Sequence, residues 1–330
     1  MSGAAAATPT SAWGARAGLA AAAAVVLSVL AACWLGLPDP WWAAISAWRI
    51  ASPDRRATLT TGLHRILGTV AGAVLGYGAA GLAVDNTALQ LLALFAVGAV
   101  GTWERFASPA WSYAWILGAV TAAMVLVQSL DGAAGLYAFA VARTLEILCG
   151  VVVGTLTEML LGGEGAAAAP PAPAAPVERR VALLAGLVLV LVPVLWGLFD
   201  LPAVTQIAIS VLVVIDRDAI ALRRRGRQRL LGCAAGGAMG LALLALGLDG
   251  LLVWLVALGG GIFLFSSLTL GGGPNAYVGI QGGLTLIMAL VTGPGPPDAL
   301  LPVLDRLAGV TLGVALVVAL SLLLAPRRPG

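Results

Sequence analysis

A long segment of this 330-residue chain occurs twice. The run from Trp41 to Gly76 returns 164 residues later, so that His64-Arg65-Ile66-Leu67-Gly68-x3-Gly72-x3-Gly76 falls on Gln228-Arg229-Leu230-Leu231-Gly232-x3-Gly236-x3-Gly240. The register holds without a gap: Arg16 falls on Arg180, Pro38 on Pro202, Asp54 on Asp218, Asp85 on Asp249, Tyr113 on Tyr277, Gly118 on Gly282, Thr121 on Thr285 and Met124 on Met288. Coincident Ala, Leu and Gly are cheap in this composition. Arg, Asp, Pro and Tyr kept in step from Arg16 to Met124 are not, and they mark an internal duplication. Whatever one half folds into, the other must fold into as well.

Each half is built of apolar runs. With 60% hydrophobic and only 10% charged residues, the chain departs far from a soluble domain, in which about a quarter of residues are charged. A spanning helix needs about 20 apolar residues to cross about 30 Å of hydrocarbon. The first half offers six stretches, at about 14–37, 41–51, 66–84, 87–103, 111–130 and 136–161, and the second offers six mates, at about 180–198, 203–215, 230–248, 251–270, 276–292 and 300–324. The fold expected is an all-α integral membrane protein of about twelve transmembrane helices. It divides into a first repeat, 1–161, an Ala/Pro/Gly linker, 162–177, and a second repeat, 178–330. Residues 1–11 read as a small-residue tail. The Leu30-Ala31-Ala32-Cys33 box resembles a lipoprotein cleavage site, but its repeat mate has no such box, so the first run is read as a spanning helix.

Sidedness follows from the arginines, which make up all 18 basic residues. Sixteen fall in the N-terminal tail, the loops after spans two, four and eight, the linker and the C-terminal tail. The intervening loops on the other side carry none, which predicts a multi-pass protein with both termini cytoplasmic. Six spans per half give both halves the same orientation, hence a parallel repeat about a pseudo-two-fold axis along the membrane normal. The net charge of +3 does not point to nucleic acid, because the arginines stand beside apolar spans. Cys33, Cys149 and Cys233 lack ligand spacing, a single His builds no usual zinc site, and Gly271-Gly272-Gly273-Pro274 is followed by no P-loop Lys. No enzyme, no metal and no cofactor is expected.

Two arginines stand inside apolar runs, Arg143 in the sixth and Arg306 in the twelfth, each with a glycine seven residues on, Gly150 and Gly313. An Arg at the bilayer centre costs at least ~2.5 kcal/mol, so each needs a compensating partner. Two accounts are open: internal ion pairs, with Glu146 one turn from Arg143 and Asp305 beside Arg306, or an anion pathway in which both guanidinium forks coordinate a carboxylate. Tyr113, Thr121, Tyr277 and Thr285 on matched fifth spans are further candidates for substrate contact or for packing. The short second and eighth spans add Ser46, Gln206 and Ser210, short paired segments being pointers to a transport site. Trp41, Trp42 and Trp48 read as interfacial anchors, and the glycines spaced by four read as helix-packing stripes.

The pattern Trp41-Trp42-Ala-x-Ile-Ser, then Pro53-Asp54-Arg55-x-Ala-Thr58-Leu59-x-x-Gly-x-x-Arg65-x-x-Gly68-Thr69-x-x-Gly72, resembles the signature stretch of the FUSC family. These are fusaric-acid-resistance-like bacterial membrane proteins, grouped with aromatic acid exporters and distantly with plant aluminium-activated malate channels. The resemblance implies an inner-membrane transporter of organic anions, often aromatic carboxylates; joined to the residue reading, it leads to an exporter expected to use Arg143 and Arg306 as anion ligands and Glu146 or Asp305 as proton carriers. A passive anion channel on the same scaffold is the alternative. A third reading is a scaffold that binds anionic lipid or a partner through Arg223-Arg224-Arg225-Gly226-Arg227. The partners expected are a small organic anion and membrane lipid, and a homo-oligomer is compatible with the sequence.

Overall fold

The computed structural model describes residues 11–132, 134–162, 178–247, 250–270, 273–293, 295 and 301–323, so the N-terminal tail, the linker from 163 and the C-terminal arginines lie outside the described residues. The first half holds α1 (Ser11–Trp34), α2 (Pro40–Ile50), α3 (Arg55–Leu82), α4 (Thr87–Ala107), α5 (Ser112–Ser129, entered by a 3-10 turn at Pro109–Trp111) and α6 (Leu136–Leu161). The second holds α7 (Arg179–Phe199), α8 (Val204–Val214), α9 (Ala219–Ala245), α10 (Leu251–Leu270), α11 (Ala276–Leu290) and α12 (Leu301–Leu323). Among the described residues nine helical stretches are long and apolar enough to cross a membrane, and the molecule is a multi-pass, all-helical membrane protein. The remaining three, α2, α8 and α11, have 11, 11 and 15 residues. At ~1.5 Å per residue they reach roughly 16–22 Å, well short of the hydrocarbon thickness.

Helix starts depart from the apolar runs in one instructive way. The basic loops expected up to Arg65 and Arg229 are mostly helix. Asp54 accepts the Arg56 N–H at 2.9 Å, and Asp218 accepts those of Ile220 at 2.9 Å and Ala221 at 2.7 Å, so each long helix is nucleated by a capping carboxylate well before its apolar segment. Arg65 therefore stands about 15 Å along α3, and Arg229 takes the same place on α9.

Contacts recur at the 164-residue spacing. Against α5, Gly68 and Gly72 of α3 lie on the carbonyls of Ala114 and Gly118; against α11, Gly232 and Gly236 of α9 lie on those of Val278 and Gly282. One residue out of that register, at a spacing of 163, Gly150 of α6 meets the Ala43 carbonyl of α2 and Gly313 of α12 meets Ile207 and Ser210 of α8. Small residues thus let backbones touch where side chains would hold them apart. A β-carbon at Gly72 would collide with the Gly118 carbonyl oxygen, whereas nothing lies within 4 Å of the same atom at Gly78. Gly72→Val should therefore lower stability by more than the ~1–3 kcal/mol of ordinary overpacking. Gly78→Ala should be neutral or gain up to about 1 kcal/mol of helix propensity. Thermal melting of the purified protein in detergent reads both.

The halves interlock. The first helix of each packs on the fourth of the other, α1 with α10 and α4 with α7, and a central seam joins α5 to α8 and α11 to α2. Across it the Trp48 indole N–H donates to the Ile280 carbonyl at 3.1 Å. Arg105, expected in a loop, is instead buried near the end of α4, where it donates to the Leu212 and Ile215 carbonyls at 3.0 and 3.2 Å. These are carbonyls at the end of α8 that have no partner within their own helix. Arg105→Met leaves them unsatisfied in the interior and should cost about 1–3 kcal/mol in the same melting measurement.

Candidate functional site

Where the halves meet, a cavity of about 830 Å³ is enclosed by α2, α3 and α5 on one side and α8, α9 and α11 on the other. Asp216, Gly273, Pro274, Pro109 and Ala110 border it, so it reaches the arginine-rich ends of the helices. Ile116, Val120, Leu284 and Met288 supply apolar wall. Arg49, Arg65, Arg105, Arg224, Arg225 and Arg229 also line it, and the acid among the lining residues is Asp216, which Arg225 engages at 2.5 Å.

Two of these arginines are repeat mates held alike. The Arg65 Nε donates to Ser46 Oγ at 3.0 Å, and the Arg229 Nη2 donates to Ser210 Oγ at 3.1 Å. A second donor reaches a neutral acceptor on the fifth helix of the same half, Tyr113 Oη at 2.8 Å for Arg65 and Gln281 Oε1 at 2.7 Å for Arg229. Both are buried, 4% and 5% exposed. Neither has a carboxylate within ion-pair distance among the described residues. Serines on the short α2 and α8 thus orient two guanidinium groups without neutralising them. Two further polar atoms on lining residues are buried with no hydrogen-bond partner among the described residues, Arg229 Nε and Tyr277 Oη. A buried cation left uncompensated costs several kcal/mol, so this arrangement asks for an anion.

The sequence candidates distribute as follows. Tyr113, Tyr277, Thr285 and Gln206 all line the large cavity. Thr121 is buried against Gly72 of α3 and lines neither the large cavity nor the smaller one described next. Arg143 lies 2% exposed on α6, with Nη2 2.7 Å from Asp39 Oδ2 and Nη1 2.9 Å from Glu146 Oε2. Glu146, fully buried, also accepts the Asp39 backbone N–H at 2.9 Å. The ion pair with Glu146 is the one its spacing suggested, and Asp39 joins it from the turn before α2. Asp305 of α12 borders, with Arg143 and Asp39, a second cavity of about 330 Å³ at the arginine-poor ends of the helices. Arg306 follows it on α12, and its side chain lies outside the described residues. Trp41, Trp42 and Trp48, expected at the membrane interface, are interior, at 7%, 8% and 3% exposure. Their apolar area is spent on the seam between the halves.

Sequence reading missed Arg65, Arg229 and Arg105 as interior groups. For the first two the signal was present: both stand in the repeated motif, eleven residues past a capping Asp that starts a helix.

Comparison with known proteins places two related family models on the chain. Residues 18–191 match the FUSC family model, described as the fusaric acid resistance protein family, and residues 188–320 match FUSC_2, described as fusaric acid resistance protein-like. A stretch of 142 residues, 42% of the chain, is 29% identical to the protein named "Uncharacterized transporter YdhK" in Escherichia coli (strain K12), and a namesake in Salmonella typhimurium matches equally. The matched stretch spans only 21% of those relatives' length. No solved structure matches the chain. With one family model covering more than half of it and a sister model most of the rest, this chain belongs to the fusaric acid resistance protein family.

Proposed function

We propose that this protein moves organic anions out across the bacterial plasma membrane through the cavity between its two halves. One observation carries the reading: Arg65 and Arg229 are buried, matched by the duplication, held in place by neutral groups and, among the described residues, left without a carboxylate. A carboxylate bound there would take charge-assisted hydrogen bonds from both halves at once. The apolar wall beside them suits a hydrophobic body attached to that carboxylate, which favours aromatic carboxylates. The transporter name of the partial relatives agrees with transport and leaves the cargo open.

In this reading all twelve helices cross the membrane as two parallel six-helix repeats about an axis along its normal, the short α2 and α8 forming the walls of the route. The arginine-rich ends, the end of the cavity that reaches them and both termini face the cytoplasm. The site then loads from inside, which is the direction of an exporter. Arg143, balanced by two carboxylates, holds α2 in place of cargo, and Glu146 and Asp305 are the groups available to carry a proton.

The test is efflux from proteoliposomes. Benzenesulfonate is a suitable probe because it stays ionised and does not cross lipid as a neutral acid. Efflux above that of protein-free vesicles is expected, accelerated by an opposing proton gradient. Equal rates with and without protein overturn the proposal. Efflux indifferent to the gradient, with unitary currents in planar bilayers, selects a channel over a carrier.

A further inference from the structure

The large and small cavities share part of their walls. Trp41 and Trp42 at the start of α2 and Gln206 at the start of α8 line both. The two indoles stack, with ring centroids 4.1 Å apart and planes inclined by 29°. What fixes them comes from α6. Arg143 grips Asp39, the residue just before α2, at 2.7 Å, while Glu146 accepts the Asp39 N–H at 2.9 Å. The Arg143 guanidinium also lies 5.9 Å from the Trp41 ring centroid and 5.0 Å from that of Trp42, within cation–π range. At the matching end of α8, Ala203 precedes the helix with φ +52°, Gly309 of α12 lies against Ala203 and Gln206, and Asp305 of α12 borders the small cavity beside them.

Resting on the transport reading above, we propose that Trp41, Trp42 and Gln206 form the constriction between the two cavities and decide which anions pass it, with Arg143, Asp39 and Glu146 as positioning residues that keep the indole end of α2 across the route. The selection is physical. A planar organic anion can slide along an indole face with little loss, since its body is apolar. A small inorganic anion must shed water against two indoles and one amide, and burial of a charge without replacement partners is costly. The arginines of the large cavity attract any anion, so without this wall chloride would follow the organic cargo.

The experiment compares efflux of benzenesulfonate and of chloride from proteoliposomes, alongside benzoate binding to the detergent-solubilised protein by calorimetry. The parent protein is expected to release benzenesulfonate and retain chloride. Trp41→Ala/Trp42→Ala should raise chloride efflux by about tenfold or more, the equivalent of removing about 1.4 kcal/mol of barrier, with benzoate binding intact because Arg65 and Arg229 are untouched. Trp41→Phe/Trp42→Phe should keep the parent ratio. The uncharged set Asp39→Asn/Arg143→Gln/Glu146→Gln should move the ratio as the alanines do, which loss of stability alone would not. If the double alanine variant does not give monodisperse protein, Trp42→Ala alone makes the same comparison. Intact benzoate binding with an unmoved ratio in these variants overturns the constriction alone. Absence of benzoate binding in the parent overturns the transport reading and the constriction with it.

Discussion

Replacing Arg65 and Arg229 together by glutamine should yield a protein that no longer binds an aromatic carboxylate and melts no lower than the parent. The two halves of that expectation have one cause. Each arginine is buried, and each spends its hydrogen bonds on Ser46 with Tyr113, or on Ser210 with Gln281, none of which carries charge. Without ligand, both cations bear a desolvation cost with no counter-charge, so removing them relieves the fold. With ligand, each contributes a charged hydrogen bond of about 1.5–3 kcal/mol, and losing two should weaken benzoate binding by roughly 100-fold or more. A single substitution should already remove most of the effect if one carboxylate is shared between the halves. The sharpest readout is thermal: benzoate should raise the melting temperature of the parent by mass action and leave the double variant where it was. A variant that melts lower and still responds to benzoate would show two structural arginines and no site.

Arg143 should behave in the opposite sense. It is enclosed by Asp39 and Glu146 and by the rings of Trp41, Trp42 and Phe139. Arg143→Met strands two carboxylates, one of them fully buried, and removing one member of a buried pair costs about 3–5 kcal/mol. Neutralising the stranded partners as well, with Asp39→Asn/Arg143→Met/Glu146→Gln, should return most of that loss, because no unpaired charge is left inside. Denaturation in detergent, parent against the single and triple variants, decides it. A single variant as stable as the parent would mean that this ion set bears no load.

These opposed signs show where the sequence was legible and where it was not. The duplication was, and so were the glycine stripes as helix-packing faces, because a four-residue spacing of small residues has few other uses. Glu146 was legible as a partner of Arg143, being one helical turn away. Asp39, 104 residues distant, was not, since only the packing of α2 on α6 brings it near. The interior arginines were hidden by a rule of thumb, that a spanning helix begins where its apolar run begins. Asp54 and Asp218 contradict that rule: a capping carboxylate starts each helix early, and the register of α3 and α9 then carries Arg65 and Arg229 inward. Repeat symmetry left both substrate contact and packing open for Thr121 and Thr285; Thr285 lines the large cavity and Thr121 packs against Gly72. Tyr113 and Gln281 show the converse, as residues at unmatched positions do the same job for the two arginines.

The exchange of outer helices between halves bears on how such a chain is made. As the polypeptide is threaded into the bilayer from its N-terminus, α4 is delivered with the face around Gly98 uncovered, and only the arrival of α7, with Ala185 and Gly186, closes it. α1 waits longer still, until α10 is laid beside Gly18. Neither copy of the ancestral unit is finished by its own residues. The single polypeptide thus keeps side by side two six-helix units, each of which leaves a helix face for the other to cover.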